Sequence, residues 1–153
     1  MRNHLSVVVA CFEAGLPLAT LGCAIPAWAQ APVVANGDFE LNEDGDGLPD
    51  GWEIVPPVVF DEEVVKSGKR SVRVDSDNVQ INNFSKNWLT LKPNTTYTLS
   101  AWVKTEDLKS GQGAQVYVYD FDGAQGGGIT IIFHGTNDWT RATQSFTTAD
   151  DAE

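Results

Sequence analysis

Two groups of residues carry types and spacings that could do chemistry. In the first, Tyr97-Thr98-Leu99-Ser100-Ala101-Trp102-Val103-Lys104 and Ala114-Gln115-Val116-Tyr117-Val118-Tyr119 alternate apolar and polar or aromatic residues with the two-residue period of a β-strand. Alternation puts Trp102 opposite the Tyr97/Leu99/Ala101/Val103 face, and puts Tyr117 and Tyr119 together on one face. Flat aromatic rings can stack on the C–H faces of a pyranose, while amides and carboxylates reach its hydroxyls. Trp102, Tyr117 and Tyr119 are therefore candidate ligand contacts, with Gln115, Asn83, Gln125 and Asp120 as hydrogen-bonding neighbours. The competing expectation is plain packing, because strand aromatics more often fill cores than hold ligands. Trp52, Trp88 and Trp139 are expected to be structural.

The second group is the acidic stretch from Asn42 to Glu53. Asn42, Asp44, Asp46, Asp50 and Glu53 fall at the spacing of oxygen ligands in an EF-hand-type calcium loop, with Gly47 at its sharp turn. Alternate oxygen-bearing residues of a tight loop can converge on one hard cation. Against this, Pro49 intrudes and neither flank has a helical pattern, so an acidic Asp/Gly turn with Trp52 packed on the body is the alternative. Calcium is thus a structural cofactor to be tested at this loop.

Catalytic chemistry finds little support. Residues 30–153 contain one histidine, His134, no cysteine, no Gly-x-Ser-x-Gly motif and no zinc-type cluster. The many carboxylates are scattered over turns, as in a solvated surface, so the chain is expected not to be an enzyme.

The elements that must position these residues are short strands. Apolar–polar alternation runs through 71–75, 79–82, 97–104 and 114–119, residues 88–91, 129–133 and 140–147 read as further strands, and Lys92-Pro93-Asn94-Thr95 is expected as a type I turn. No stretch has a sustained helical period. Fourteen glycines and five tryptophans in 153 residues fit a turn-rich all-β protein, and six or seven strands fit an antiparallel sandwich. The size points to one domain. Twenty-one acidic against ten basic residues give a net charge of −11, which repels phosphate backbones and anionic lipid, so nucleic acid is not an expected partner.

The N-terminus resembles a secretory leader: Arg2, a mostly apolar stretch over 14–25, and Ala27-Trp28-Ala29 as a small-x-small cleavage site. Cleavage after Ala29 divides the chain into a signal peptide, 1–29, and a mature domain, 30–153. It removes Cys11 and Cys23. The mature chain is expected at the cell surface or outside the cell, without membrane insertion, since Glu13, Pro17 and Pro26 spoil the roughly 20-residue apolar run that a spanning helix needs. Thr20-Leu21-Gly22-Cys23 only partly matches a lipoprotein box, with threonine where an aliphatic residue belongs.

Three further motifs, in order along the chain, carry a family likeness: Asn36-Gly37-Asp38-Phe39-Glu40, Leu48-Pro49-Asp50-Gly51-Trp52 and Lys66-Ser67-Gly68-Lys69-Arg70-Ser71-Val72. With Tyr97 to Thr105 and Asp138-Trp139-Thr140 … Phe146, they resemble the carbohydrate-binding modules of the 4/9 (cellulose/xylan-binding) type. The resemblance implies a galactose-binding-like, antiparallel jelly-roll β-sandwich, of a kind often attached to secreted glycoside hydrolases. It implies polysaccharide or another glycan as partner, bound without catalysis. It also implies a structural calcium ion held by a carboxylate like Glu40 and by carbonyls of the loop around Ser67, completed by a last-strand carboxylate. The family closes with a further strand pair carrying paired aspartates, and Asp150-Asp151 lacks the apolar flanks of that motif. The sandwich is therefore expected to lack its last strands and to belong to a longer polypeptide. The remaining alternatives are a structural or adhesive sandwich of a cell-surface protein and a fragment of a glycoside hydrolase.

Overall fold

The computed structural model describes residues 3–9, 13–15, 34–54, 58–76, 84–85, 89, 91–108, 113–118 and 129–150. They form ten strands, with no helix among the described residues: β1 (Asn3–Val9), β2 (Glu13–Gly15), β3 (Glu53–Ile54), β4 (Val58–Asp61), β5 (Ser71–Ser76), β6 (Phe84–Ser85), β7 (Thr96–Leu108), β8 (Ala114–Val118), β9 (Ile129–Phe133) and β10 (Gly135–Thr147). All pairings are antiparallel. The large sheet runs β10-β7-β1-β5-β4, with β2 also on β7, while β3-β6 and β8-β9 form two small sheets.

β7 organises the molecule because its alternation is the longest in the chain. Tyr97, Leu99, Ala101, Val103 and Thr105 are buried on its inner face, as the period-2 pattern predicts. Across the sheet Val72 and Val74 of β5, Val58 of β4, and Ala142 and Phe146 of β10 join them. The β8-β9 hairpin lies over this face. Its Val116 packs on both halves of the core, Phe133 on the Val72/Val103 half and Val118 on the Tyr97/Leu99 half. The result is an all-β sandwich. On the outer face, β7 and β10 are joined by hydroxyl pairs, Thr96–Thr147 and Thr98–Ser145, each at 3.0 Å. Where β10 shifts register beyond Gly135, the Asn137 amide donates to Thr105 Oγ1 and to the His134 carbonyl, both at 2.8 Å, which fixes the irregularity.

Several expectations need correction. Leu89 and Leu91 pack on the core but are not in a strand. The turn at Pro93-Asn94 is not type I, because Asn94 has φ +49°, the left-handed value of a type II third residue, which asparagine tolerates. β10 starts at Gly135, five residues ahead of the expected Thr140. Alternation did not reveal β4, in which Val58-Val59-Phe60 is a continuous apolar run, or the two-residue β3 and β6. The largest surprise is β1: Asn3–Val9, read as the front of a leader, pairs on both sides inside the large sheet.

Candidate functional site

The outward face of the β8-β9 hairpin is the most open aromatic surface among the described residues. Ala114, Val116 and Val118 turn toward the core, so Gln115 and Tyr117 turn to solvent. Gln115 pairs directly with Ile132 of β9, and Tyr117 with Thr130. Tyr117 is 39% exposed and Ile132 is 49% exposed, and as diagonal neighbours they form one patch with Gln115, which stands directly opposite Ile132. Ile132 was not anticipated. Ile129-Thr130-Ile131-Ile132-Phe133 is apolar on both faces, and only the register with β8 shows which face reaches water.

Trp102 stands elsewhere. It lies on the outer face of the large sheet, opposite the buried Ala101 and Val103, and pairs with Arg141 of β10. The sandwich core separates it from Tyr117, so the two rings cannot flank one short glycan. The Lys66 ammonium sits 4.1 Å from the Trp102 ring centroid, a cation–π contact that occupies one face of the indole. Lys66 belongs to the 62–70 loop, whose anchoring is electrostatic. Asp61, 3% exposed, accepts the Glu63 and Val64 amides through Oδ1 at 2.8 and 2.9 Å, and Arg73 Nη1 through Oδ2 at 2.7 Å. Burial alone would raise its pKa, but the two amides and the guanidinium outweigh burial and hold it below the ordinary value of 3.8. On the same face, the Asp138 carboxyl is lowered mainly by its 2.8 Å hydrogen bond from the Lys104 ammonium. Asn83, Tyr119, Asp120 and Gln125 lie outside the described residues.

The acidic loop folds as a chain of side-chain-capped turns. Asn42 Oδ1 accepts the Gly45 amide, Asp44 Oδ1 that of Asp46, Asp46 Oδ1 that of Leu48, and Asp50 Oδ2 that of Glu43. Asn36 spans the loop base, donating to the Leu41 and Asp50 carbonyls and accepting from the Leu41 amide. Trp52 closes it, donating from Nε1 to the Asn36 carbonyl at 2.9 Å and meeting Phe39 edge-on at 5.1 Å. Among the described residues no three His, Cys, Asp or Glu side chains are gathered to hold a metal ion. Asn42, Asp44, Asp46 and Asp50 each direct one side-chain oxygen at a backbone amide, and Glu53 opens β3. Glu40, the other candidate ligand, accepts the Lys69 and Arg70 amides through Oε1 at 2.7 and 3.3 Å. That contact brings the carboxylate to the Ser67–Arg70 loop, the neighbourhood that the resemblance implies, through amide donors rather than carbonyls.

The described residues thus form an all-β sandwich with a solvent-facing aromatic and amide patch on one hairpin. The model of the carbohydrate-binding domain family of the 4/9 type matches residues 31–153, and the chain belongs to that family. Carbohydrate is accordingly its class of ligand. No curated protein and no solved structure matches the chain.

Proposed function

We propose that the chain is a non-catalytic module that binds polysaccharide on the outer face of the β8-β9 hairpin. Tyr117 is the stacking platform and Gln115 the hydrogen-bonding neighbour, and the chain acts outside the cell or at its surface after cleavage behind Ala29. The observation that carries this proposal is the placement of Gln115, Tyr117 and Ile132 on one exposed strand face. An aromatic ring with an amide two residues away and an aliphatic side chain beside it gives a pyranose an apolar floor and a polar edge. Trp102 is the lesser candidate, since a sugar stacking on it must displace Lys66 or use the other ring face. The net charge of −11 favours uncharged glycans over acidic ones.

The test is affinity electrophoresis of the full chain in native gels containing a panel of soluble neutral polysaccharides. Retardation by one of them, lost in Tyr117→Ala, supports the proposal. Unretarded migration in every gel favours a structural or adhesive sandwich without a glycan ligand.

A further inference from the structure

The large sheet has its second- and fourth-position strands joined only through a segment from the far N-terminus. β1 pairs with β5 from Asn3↔Ser76 to Val7↔Val72, and with β7 from His4↔Glu106 to Val9↔Ala101. β2 continues along the same β7 strand, from Glu13↔Thr98 to Gly15↔Thr96. Residues 4–9 and 13–15 therefore both pair with β7, over Ala101–Glu106 and Thr96–Thr98.

Two features make this position a slot rather than an edge. Adjacent strands stand about 4.8 Å apart, so β5 and β7 flank a gap of about 9.6 Å that only another strand can bridge. Both flanking strands are also committed to one core. Val72 and Val74 of β5 and Ala101 and Val103 of β7 are all buried in the same cluster with Phe39 and Val58, so β5 cannot slide over to pair with β7 without rebuilding it. The segment itself suits an internal strand. Asn3-His4-Leu5-Ser6-Val7-Val8-Val9 has no Asp, Glu, Lys, Arg, Gly or Pro and ends in three β-branched residues. The same residues begin the stretch that reads as a cleavable leader, so a cut after Ala29 would break the covalent link between an internal strand and its sheet.

We infer that the gap between β5 and β7 is a strand-acceptor site, with residues 3–9 as its occupant, held by backbone pairing rather than by the chain connection. After a cut, the segment stays bound without a covalent link and exchanges for a free strand of the same sequence. This inference rests on sheet topology and is independent of the carbohydrate site.

The experiment uses the full chain with a site-specific protease sequence placed within residues 20–28, cut after folding. Size-exclusion chromatography with mass spectrometry then shows whether the N-terminal fragment travels with the domain. The expected result is one-to-one co-elution and uptake of a labelled peptide of residues 1–15. The same peptide carrying Val7→Pro should bind roughly a hundredfold more weakly, because proline removes a ladder donor and clashes inside a sheet. A fragment that elutes free from an otherwise unchanged domain overturns the inference. Aggregation of the cut protein supports it if the added peptide prevents it, and overturns it if the peptide has no effect. Hydrogen exchange on the uncut chain gives an independent reading: amides 4–9 protected like those of β7 support a filled slot, and unprotected amides 4–9 refute it.

Discussion

Replacing Asp61 by alanine should destabilise the domain far more than any exposed acidic residue would. Asp61 is 3% exposed and accepts three hydrogen bonds, from the Glu63 and Val64 amides and from Arg73. Alanine strands two loop amides and leaves a guanidinium, 31% exposed, without its carboxylate. Breaking a buried pair this way costs about 3–5 kcal/mol, and the partial exposure of Arg73 argues for the lower end, about 3 kcal/mol. That corresponds to a Tm decrease of roughly 6–12 °C for a domain of this size. Asp61→Asn keeps an acceptor for the amides but turns an NH₂ toward Arg73, so it should fall between wild type and Asp61→Ala. The pH dependence has a fixed sign. The folded pKa of Asp61 lies below its unfolded value near 3.8, so its stabilisation is full above the unfolded value. It is lost as pH falls through the folded value. Urea melts of wild type and Asp61→Ala should therefore differ at pH 6 and converge as the pH drops below about 3.8. An Asp61→Ala difference under about 0.5 kcal/mol at pH 6, or a gap that widens in acid, would refute the reasoning.

Further substitutions probe the loops and the strand junctions. Gly68→Ala would place its Cβ against Glu40 Oε1 at φ +71°, whereas Gly45→Ala at φ +73° meets nothing, so Gly68→Ala should lower the urea midpoint clearly more. Thr148 is buried, and its hydroxyl meets the Lys92 carbonyl at 2.6 Å and the Thr95 amide at 3.0 Å, so Thr148→Val should cost about 1–3 kcal/mol by chemical denaturation despite its matched shape. Millimolar calcium should leave the Tm within about 1 °C, because among the described residues no three acidic side chains are gathered around one point. A rise of several degrees that a chelator reverses would show that the loop rearranges into a cage.

The parts of this fold that a linear reading reaches are those governed by period. Tyr97 to Thr105 alternates cleanly, and its buried face, its outward Trp102 and the outward Tyr117 of the next strand all follow from that alternation. What period cannot give is which strand lies beside which. Trp102 and Tyr117 look equivalent in sequence, yet they stand on the outer faces of two different sheets, and Lys66 reaches Trp102 from a loop 36 residues away in the chain. Ile132 was hidden in a run with no alternation. The acidic loop shows one spacing with two uses: the side chains set at calcium-type intervals also cap their own backbone. β1 escaped because a leader-like composition and an internal-strand composition are both apolar and uncharged.

The central claim, glycan stacking on the β8-β9 face, is tested most directly by titrating one retarding polysaccharide into wild type, Tyr117→Ala and Trp102→Ala. Loss of the Tyr117 ring removes its stacking and the apolar area it covers, about 2 kcal/mol or roughly thirtyfold in Kd. Trp102→Ala, on the other sheet, should leave Kd within about threefold as long as thermal melts show the domain folded. Equal affinity for wild type and Tyr117→Ala, with binding abolished in a folded Trp102→Ala, would contradict the account and move the site to the outer face of the large sheet.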